Sequence, residues 1–346
     1  MMDKCGKVQQ KVSCVFETEI LNEPSNKRQF QGYKVVASDV LKNTALLSDV
    51  TRSIATEKLD GTCVFIAEFK GRPWLWARLD RKPNKAGDKR FKQYRSSLQK
   101  WEQSSQDLPK PSLEWDIEKD FKQVPEHWIP ASDVPIVNGH PQPDQNGHTP
   151  GWVPVEKTSR QYCWHASAVD LDRSLGLFMG QGEVVSGAHH LQIRVLPLQS
   201  VLGHTAELIG THINANAYNI GSKRDPLHFL VIHGSITLSE PPEVSLPAIQ
   251  TWFSTEQGLV EGIVWHCSDG KLFKIHRHHL NLPWPLKDVT PVLSRKKVEI
   301  LLDNFESESE DDVNPVFLKL KKHSNRTCDS VVDLAQLLEK DENKNE

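Results

Sequence analysis

The sequence predicts an α+β fold of mainly antiparallel sheets with flanking helices, followed by an acidic tail. Three observations predict it. Short runs of β-branched and aromatic residues recur along most of the chain, bounded by Gly, Pro, Asn and Asp. Stretches with a long helical repeat are few. Between Asp303 and Asp312 there are six acids and no base, a composition that stays solvated. Residues 1–290 therefore read as one domain. Residues 291–346 read as an acidic, partly disordered tail carrying a candidate terminal helix at Val331–Leu338.

The elements follow in order. Val12–Ile20 and Tyr33–Ala37 read as short strands, and Val40–Ile54 holds room for a short helix. CVFIAEF (Cys63–Phe69) and WLWARL (Trp74–Leu79) flank Gly71-Arg72-Pro73, the pattern of a β-hairpin. Phe91–Phe121 is polar and reads as partly helical. Val124–Gly151 carries six prolines and is too long for a plain connection, which marks it as an insertion or a functional loop. Strands are expected at Gln161–Val169, His190–Pro197, His228–His233, Gly262–His266 and Leu272–His276, and a helix at Pro247–Phe253.

Composition bounds the function classes. The chain has 346 residues, 38% of them hydrophobic, enough for one large core or two small ones. Net charge is −3, so no global basic footprint of a nucleic-acid binder exists. The distribution is uneven: residues 1–100 hold 20 Lys+Arg against 11 Asp+Glu. Eight of those bases fall between Arg78 and Arg95, a run suited either to an RNA backbone or to a solvated face. The six cysteines are scattered without a CxxC pair, and no apolar stretch reaches membrane-helix length. The N-terminus lacks the pattern of a leader. These features predict a reduced, intracellular and chiefly cytoplasmic monomer with no membrane partner, the nucleus and mitochondrion being left open.

The segment Glu57-Lys58-Leu59-Asp60-Gly61 carries the chemistry. A lysine amine attacks phosphorus only when unprotonated, and Gly61 lets the backbone turn and approach a ligand closely. Alone, K-x-D-G is a weak signal that also occurs in surface turns. Its companions lift it, in fixed order: Arg78 on WLWARLDRK, Glu207-Leu208-Ile209-Gly210, the strand from His228 to His233, Glu261-Gly262-Ile263-Val264, and Leu272-Phe273-Lys274-Ile275-His276. In the last, period-two alternation puts Lys274 and His276 on one face, where two cations can meet one phosphate.

This ordered set resembles the covalent nucleotidyltransferases: DNA ligases, RNA ligases and capping guanylyltransferases. The resemblance is greatest to the animal ATP-dependent 5′-to-3′ RNA ligases, on Ala77–Lys85, Pro150–Lys157, Glu207–Thr211 and Glu261–Gly270, and it covers residues from about 8 to about 285. It implies a nucleotidyltransferase (ATP-grasp-like ligase) domain. The chain after His276 is thin for a further OB-fold domain, so none is expected.

The resemblance also implies roles. Lys58 is the nucleophile that forms a lysyl-AMP. Lys274 holds the α-phosphate and lowers the Lys58 pKa, with His276 in the second basic position, where family members carry lysine. Arg78 contacts the nucleotide or the RNA 5′-phosphate. Glu57 and Gly61 flank the nucleotide. Glu207 binds ribose or lies near the metal. Phe229, or its neighbour His228, stacks on adenine. Glu261 is the leading ligand for Mg²⁺ or Mn²⁺, with Glu207, Asp60 and Glu156 as further oxygen donors. The partners implied are ATP and RNA ends bearing a 5′-phosphate and a 3′-hydroxyl, and the setting implied is RNA repair or maintenance. DNA ligation, RNA capping, or non-catalytic RNA binding on the same fold are the alternatives. Separately, His266, Cys267, His276, His278, His279, Cys163 and His165 form a dispersed set of zinc donors without paired-finger spacing.

Overall fold

The computed structural model describes residues 7–24, 32–103, 109–185, 188–302, 305 and 313–342. The chain divides into two compact units, Met1–Leu75 with Val155–Glu346, and Trp76–Pro154. The fold is the expected mixed α+β one, with mainly antiparallel sheets and flanking helices. No sheet closes into a barrel among the described residues.

The first unit contains two principal sheets. The smaller orders Ser13–Cys14, Leu272–His276, Gly262–His266 and Ile54–Lys58, with its last three strands antiparallel. One face of it is apolar by strict alternation. Ala55, Ile263, Trp265, Phe273 and Ile275 point into a core completed by Phe16, Ile249 and Phe253. The helix Leu246–Trp252 covers this core, its first turn capped by Ser245 Oγ accepting from the Ala248 N–H.

The larger sheet runs, within this unit, through Thr327–Cys328, Val298–Leu301, Ala188–Pro197, Leu175–Val185, His228–Ile232, Thr205–Gly210 and Thr62–Phe69. Its core gathers Met179, Ile193, Phe229, Val231 and Ile300. Lys58-Leu59-Asp60-Gly61 joins the two sheets: Lys58 ends a strand of the small one, and Thr62 begins a strand of the large one. Two adjacent residues, Lys70 and Gly71, have positive φ between Thr62–Phe69 and Arg72–Arg78, the geometry of a tight two-residue turn.

Two expectations are corrected here, and one long strand was not foreseen. Gln161–Val169 is not a strand. It forms a 3-10 turn at Arg160–Tyr162 and a helical turn at Cys163–Ala166, with only Val169–Asp170 extended. Long-range contacts decide this: Asn314 Nδ2 donates to the Ser167 and Val169 carbonyls, and Trp164 stacks on His228. Leu175–Val185 is a strand that its glycines conceal. Finally, the described residues of 291–346 are packed rather than trailing. Val298–Leu301 pairs in parallel with Leu191–Arg194, and Phe317, Leu320, Leu334 and Leu338 lie buried in the main core. The terminal helix spans Val331–Glu342. Apart from Phe305, the acidic run 305–312 lies outside the described residues.

The second unit is built on a basic helix, Lys85–Glu102. Asn84 caps it by accepting from the Ala86 and Gly87 N–H groups. Arg90 Nη1 donates to both carboxylate oxygens of Asp120, at 2.8 and 2.7 Å. The proline-rich segment folds around Trp128, whose indole N–H donates to the Leu79 carbonyl.

Candidate active site

Lys58 lies on the face of the small sheet opposite its apolar core, with its side chain 22% exposed. Register places Lys58, Gly262 and His276 in one row, and Thr56, Val264 and Lys274 in the next. Directly paired residues point to one side, so Lys58, Lys274 and His276 share a face. Gly262 keeps the row open between Lys58 and His276; a Cβ there would sit 2.8 Å from the His276 Cα. Glu57, one residue earlier, necessarily points the other way, into the apolar core. Burial pushes its carboxyl up to about 7. Its Oε1 has no hydrogen-bond partner.

Lys58 Nζ donates to Glu261 Oε2 at 2.6 Å. Glu261 immediately precedes Gly262, the direct partner of Lys58, and lies just outside the strand, so alternation does not turn its carboxylate away from the lysine. Burial lowers the Lys58 pKa, but the nearby carboxylates of Glu261, then Glu207 and Asp60, outweigh it, and the net shift is upward. Lys274 was expected to lower this pKa. The shift runs the other way because the groups nearest Lys58 are carboxylates, and the side chain rests as an ammonium. Burial likewise raises the Glu261 carboxyl, with Lys58 opposing.

Asp60 is held by the surrounding chain. Its Oδ1 accepts from Asn214 Nδ2 at 2.7 Å, and its Oδ2 accepts from Trp284 Nε1 at 2.9 Å. Asn214 also donates to the Gly61 carbonyl, and the Asp60 N–H donates to the buried Tyr218 hydroxyl. Gly61 lies tight on the neighbouring strand, where a Cβ would be 2.6 Å from the Glu207 Cγ. The turn after the lysine is thus fixed on every side, and both Asp60 oxygens already accept hydrogen bonds. Sequence reasoning missed Asn214, Tyr218 and Trp284, because they lie more than 150 positions away and belong to no short motif.

Glu207 stands on Thr205–Gly210, paired with Cys63 on one side and Val231 on the other. Phe229, Val231 and His233 share its face, so Phe229 lies on the Glu207 side, fully buried in the core. His228 points to the opposite side. Its ring is gripped by Ser167 Oγ at 2.7 Å and the Thr211 carbonyl at 2.6 Å. Burial lowers its pKa to about 4, so it is neutral at physiological pH. Of the two residues expected to face adenine, only Phe229 shares a sheet face with Glu207. His233 Nε2 lies 3.0 Å from Glu207 Oε2. Among the described residues, the group of possible metal donors whose ligand atoms lie within 4.8 Å of one another is Cys63, Glu207 and His233. Glu261 and Asp60 are outside it. Glu156 is exposed at a turn closed by the Ser159 N–H donating to its carbonyl.

Arg78 belongs to the second unit. Its Nε donates to Asp80 Oδ1 at 2.6 Å and its guanidinium lies 4.9 Å from the Trp152 ring centre. Of the dispersed zinc donors, His266 is bound to Thr56 Oγ1, His165 is driven neutral chiefly by burial, and His276 stacks on His279.

A lysine ammonium paired with a buried carboxylate at a sheet junction, flanked by a second carboxylate and two further basic residues, can be deprotonated and aimed at a phosphoryl centre. Comparison with known proteins agrees. The RNA ligase 1 family profile matches residues 2–337. RNA ligase 1 of Rattus norvegicus is 45% identical over 334 residues, covering 96% of this chain and 99% of that protein. RNA ligase 1 of Mus musculus is 49% identical over 288 residues, 83% of this chain and 85% of that protein. RNA ligase 1 of Danio rerio is 44% identical over 334 residues, again 96% and 99%. The chain belongs to the RNA ligase 1 family.

Proposed function

We propose that the protein is an ATP-dependent RNA ligase that joins a 5′-phosphate to a 3′-hydroxyl through a lysyl-AMP on Lys58. The observation that carries this reading is the Lys58–Glu261 pair, set on the face of the small sheet opposite its core, beside Glu207, in a chain of this family. Lys58 Nζ must lose a proton before it attacks, and Glu261 Oε2, already accepting its N–H, is placed to take it. The amine then forms a P–N bond to the α-phosphorus as the bond to pyrophosphate breaks. AMP passes to the RNA 5′-phosphate, and the 3′-hydroxyl displaces it. Each step is an in-line displacement at phosphorus, in which alignment and charge neutralisation dominate. Lys274 and His276, on the Lys58 face, meet the phosphates; the rigid Asp60–Gly61 turn fixes the direction of attack.

The carboxylate oxygens of Glu261 and Glu207 are hard donors in a region of excess negative charge, and they fit Mg²⁺ or Mn²⁺. Such an ion would neutralise the triphosphate and ease departure of pyrophosphate. Asp60, with both oxygens hydrogen-bonded, serves in this reading as a positioning group, and Glu156 plays no part. Phe229 shares the Glu207 face but is fully packed in the core, so no stacking contact with adenine is assigned to it.

RNA is assigned partly to the second unit. Lys85, Lys89 and Lys92 are exposed on one face of its helix, whereas Arg81 and Arg90 are spent on internal carbonyl and carboxylate contacts. The test adds labelled ATP or GTP, then a single-stranded RNA with a 5′-phosphate or a nicked DNA duplex. The expected result is a covalent adduct with ATP alone, transfer of AMP to the RNA end, and a joined product. An adduct with GTP, or sealing of the DNA nick in place of RNA, overturns the substrate assignment.

A further inference from the structure

We propose that Cys63, Glu207 and His233 form a second cation site, for a thiophilic divalent ion such as Zn²⁺, that competes with nucleotide for Glu207.

The frame is rigid. Cys63 and Glu207 are direct partners on adjacent antiparallel strands, so their side chains leave one face side by side. His233 follows the next strand and is pinned there by its backbone N–H donating to the Thr205 carbonyl. Thiol sulfur, carboxylate oxygen and imidazole nitrogen come within 4.8 Å of one another. His233 Nε2 and Glu207 Oε2 are 3.0 Å apart. That is close to the edge of a tetrahedron with Zn–N and Zn–O bonds of ~2.0–2.1 Å. Cys63 and Glu207 stand on strands, which hold ligand geometry better than loops do, and His233 sits in the turn directly after a third.

The donor set selects the ion. One sulfur, one nitrogen and one oxygen suit Zn²⁺ or Co²⁺, and Mg²⁺ has no use for a thiol. Three protein ligands leave a fourth position for water or a phosphate oxygen. Outside the ligands, Thr205 Oγ1 lies 2.9 Å from His233 Nδ1 and already accepts the Val8 N–H at 2.8 Å. Its hydroxyl can donate to Nδ1 while Nε2 carries the proton toward Glu207. It can equally accept from Nδ1–H when Nε2 turns its lone pair to a metal. Thr205 therefore supports either imidazole tautomer, the usual service of a residue behind a metal-bound histidine. The Cys63 thiol, which donates to the Val8 carbonyl at 3.7 Å, releases its proton to solvent on coordination.

The binding claim is independent of the ligase reading; the competition claim rests on it. Co²⁺ added to the full chain is expected to give a thiolate-to-cobalt charge-transfer band in the near ultraviolet. Visible bands of four-coordinate cobalt should accompany it, and Zn²⁺ should displace both. Cys63→Ser should lose the charge-transfer band, and Thr205→Val should weaken Co²⁺ binding by ~10–100-fold. Absence of the band in the wild type, or its persistence in Cys63→Ser, overturns the site. In a second arm, Zn²⁺ should inhibit formation of the AMP adduct in Mg²⁺ and lose most of that effect in Cys63→Ser. Equal inhibition of both proteins overturns the competition. A wild type that shows the cobalt band yet forms no adduct refutes the ligase reading and leaves the cation site standing.

Discussion

The two units handle charge in opposite ways. Around Lys58 in the first unit, ionisable groups are half-buried and matched: Lys58 with Glu261, and Glu207 with His233. In the second unit the arginines serve the fold, Arg90 against Asp120 and Arg78 against Asp80, while Lys85, Lys89 and Lys92 of the helix are exposed, Lys92 pairing with Asp88 one turn away on the surface. The difference fits the proposed division of labour. Covalent chemistry at one lysine needs desolvated, short-range partners whose removal changes a proton equilibrium. Docking a polyanion needs mobile exposed cations, whose contribution is long-range and screened by salt.

The largest expected break in that contrast, short of removing the nucleophile, comes from Glu261→Gln. It takes away the proposed proton acceptor and the leading candidate metal ligand, and adduct formation should fall by roughly 10²–10³-fold. The same change sharpens the contrast in pH. Without the Glu261 carboxylate, burial is opposed only by the more weakly acting Glu207 and Asp60, so a ¹³C-methylated Lys58 should titrate at lower pH than in the wild type. The raised wild-type value means that the Lys58 contribution to stability is intact through neutral pH and lost only as pH rises beyond the ordinary lysine value of 10.5. Titration of Lys58 at the same pH in both proteins would show that Glu261 does not hold its proton.

A smaller effect is expected at the turn. Asn214→Ala removes the donor shared by Asp60 and Gly61. It should slow adduct formation by roughly 10–100-fold while leaving ATP binding largely intact, a kcat effect more than a KM effect. Glu57→Gln tests the core face. Glu57 binds its proton more tightly folded than unfolded, so its contribution is full below pH 4.5 and lost as pH rises to about 7. The variant should therefore be more stable than wild type above pH 7, by up to about 3 kcal/mol, with the gain vanishing in acid. Thermal melts across pH read this directly. Least in free energy, Lys85, Lys89 and Lys92 changed together to Gln should reduce the log–log salt slope of single-stranded RNA binding by about 2. An unchanged slope would assign that helix to plain solvation.

Two strands of the small sheet were legible because β-branched and aromatic residues alternate there; Gly262–His266 and Leu272–His276 match their expected limits, whereas Ile54–Lys58, the strand that carries the lysine, was not foreseen. The ordered motifs were legible for the same reason, since register converts period two into a shared face. Glycine hid Leu175–Val185, and aromatic residues that stack on distant partners made Cys163–Ala166 look extended. The helix at Lys85–Glu102 starts before the expected polar stretch because Asn84 caps it and Gly87 packs closely on Asp120. The ordered motifs singled out Lys58, Glu207 and Glu261, which the structure brings near one another. Their proton balance could not be read from sequence, because it depends on which carboxylate lies at 2.6 Å. His233 was within reach: it continues the Phe229, Val231 alternation that faces Glu207.

The central claim is that Lys58 Nζ carries the AMP. Intact mass spectrometry after incubation with ATP and Mg²⁺, followed by peptide mapping, tests it most directly. The wild type should gain one AMP, acid-labile as a phosphoramidate is, on the peptide containing Lys58, and lose it to 5′-phosphorylated RNA. Lys58→Ala should gain none, a fall on the order of 10⁴-fold or more, with an unchanged fold. An adduct on the Lys58→Ala protein, or one mapped to another residue of the wild type, would contradict the account.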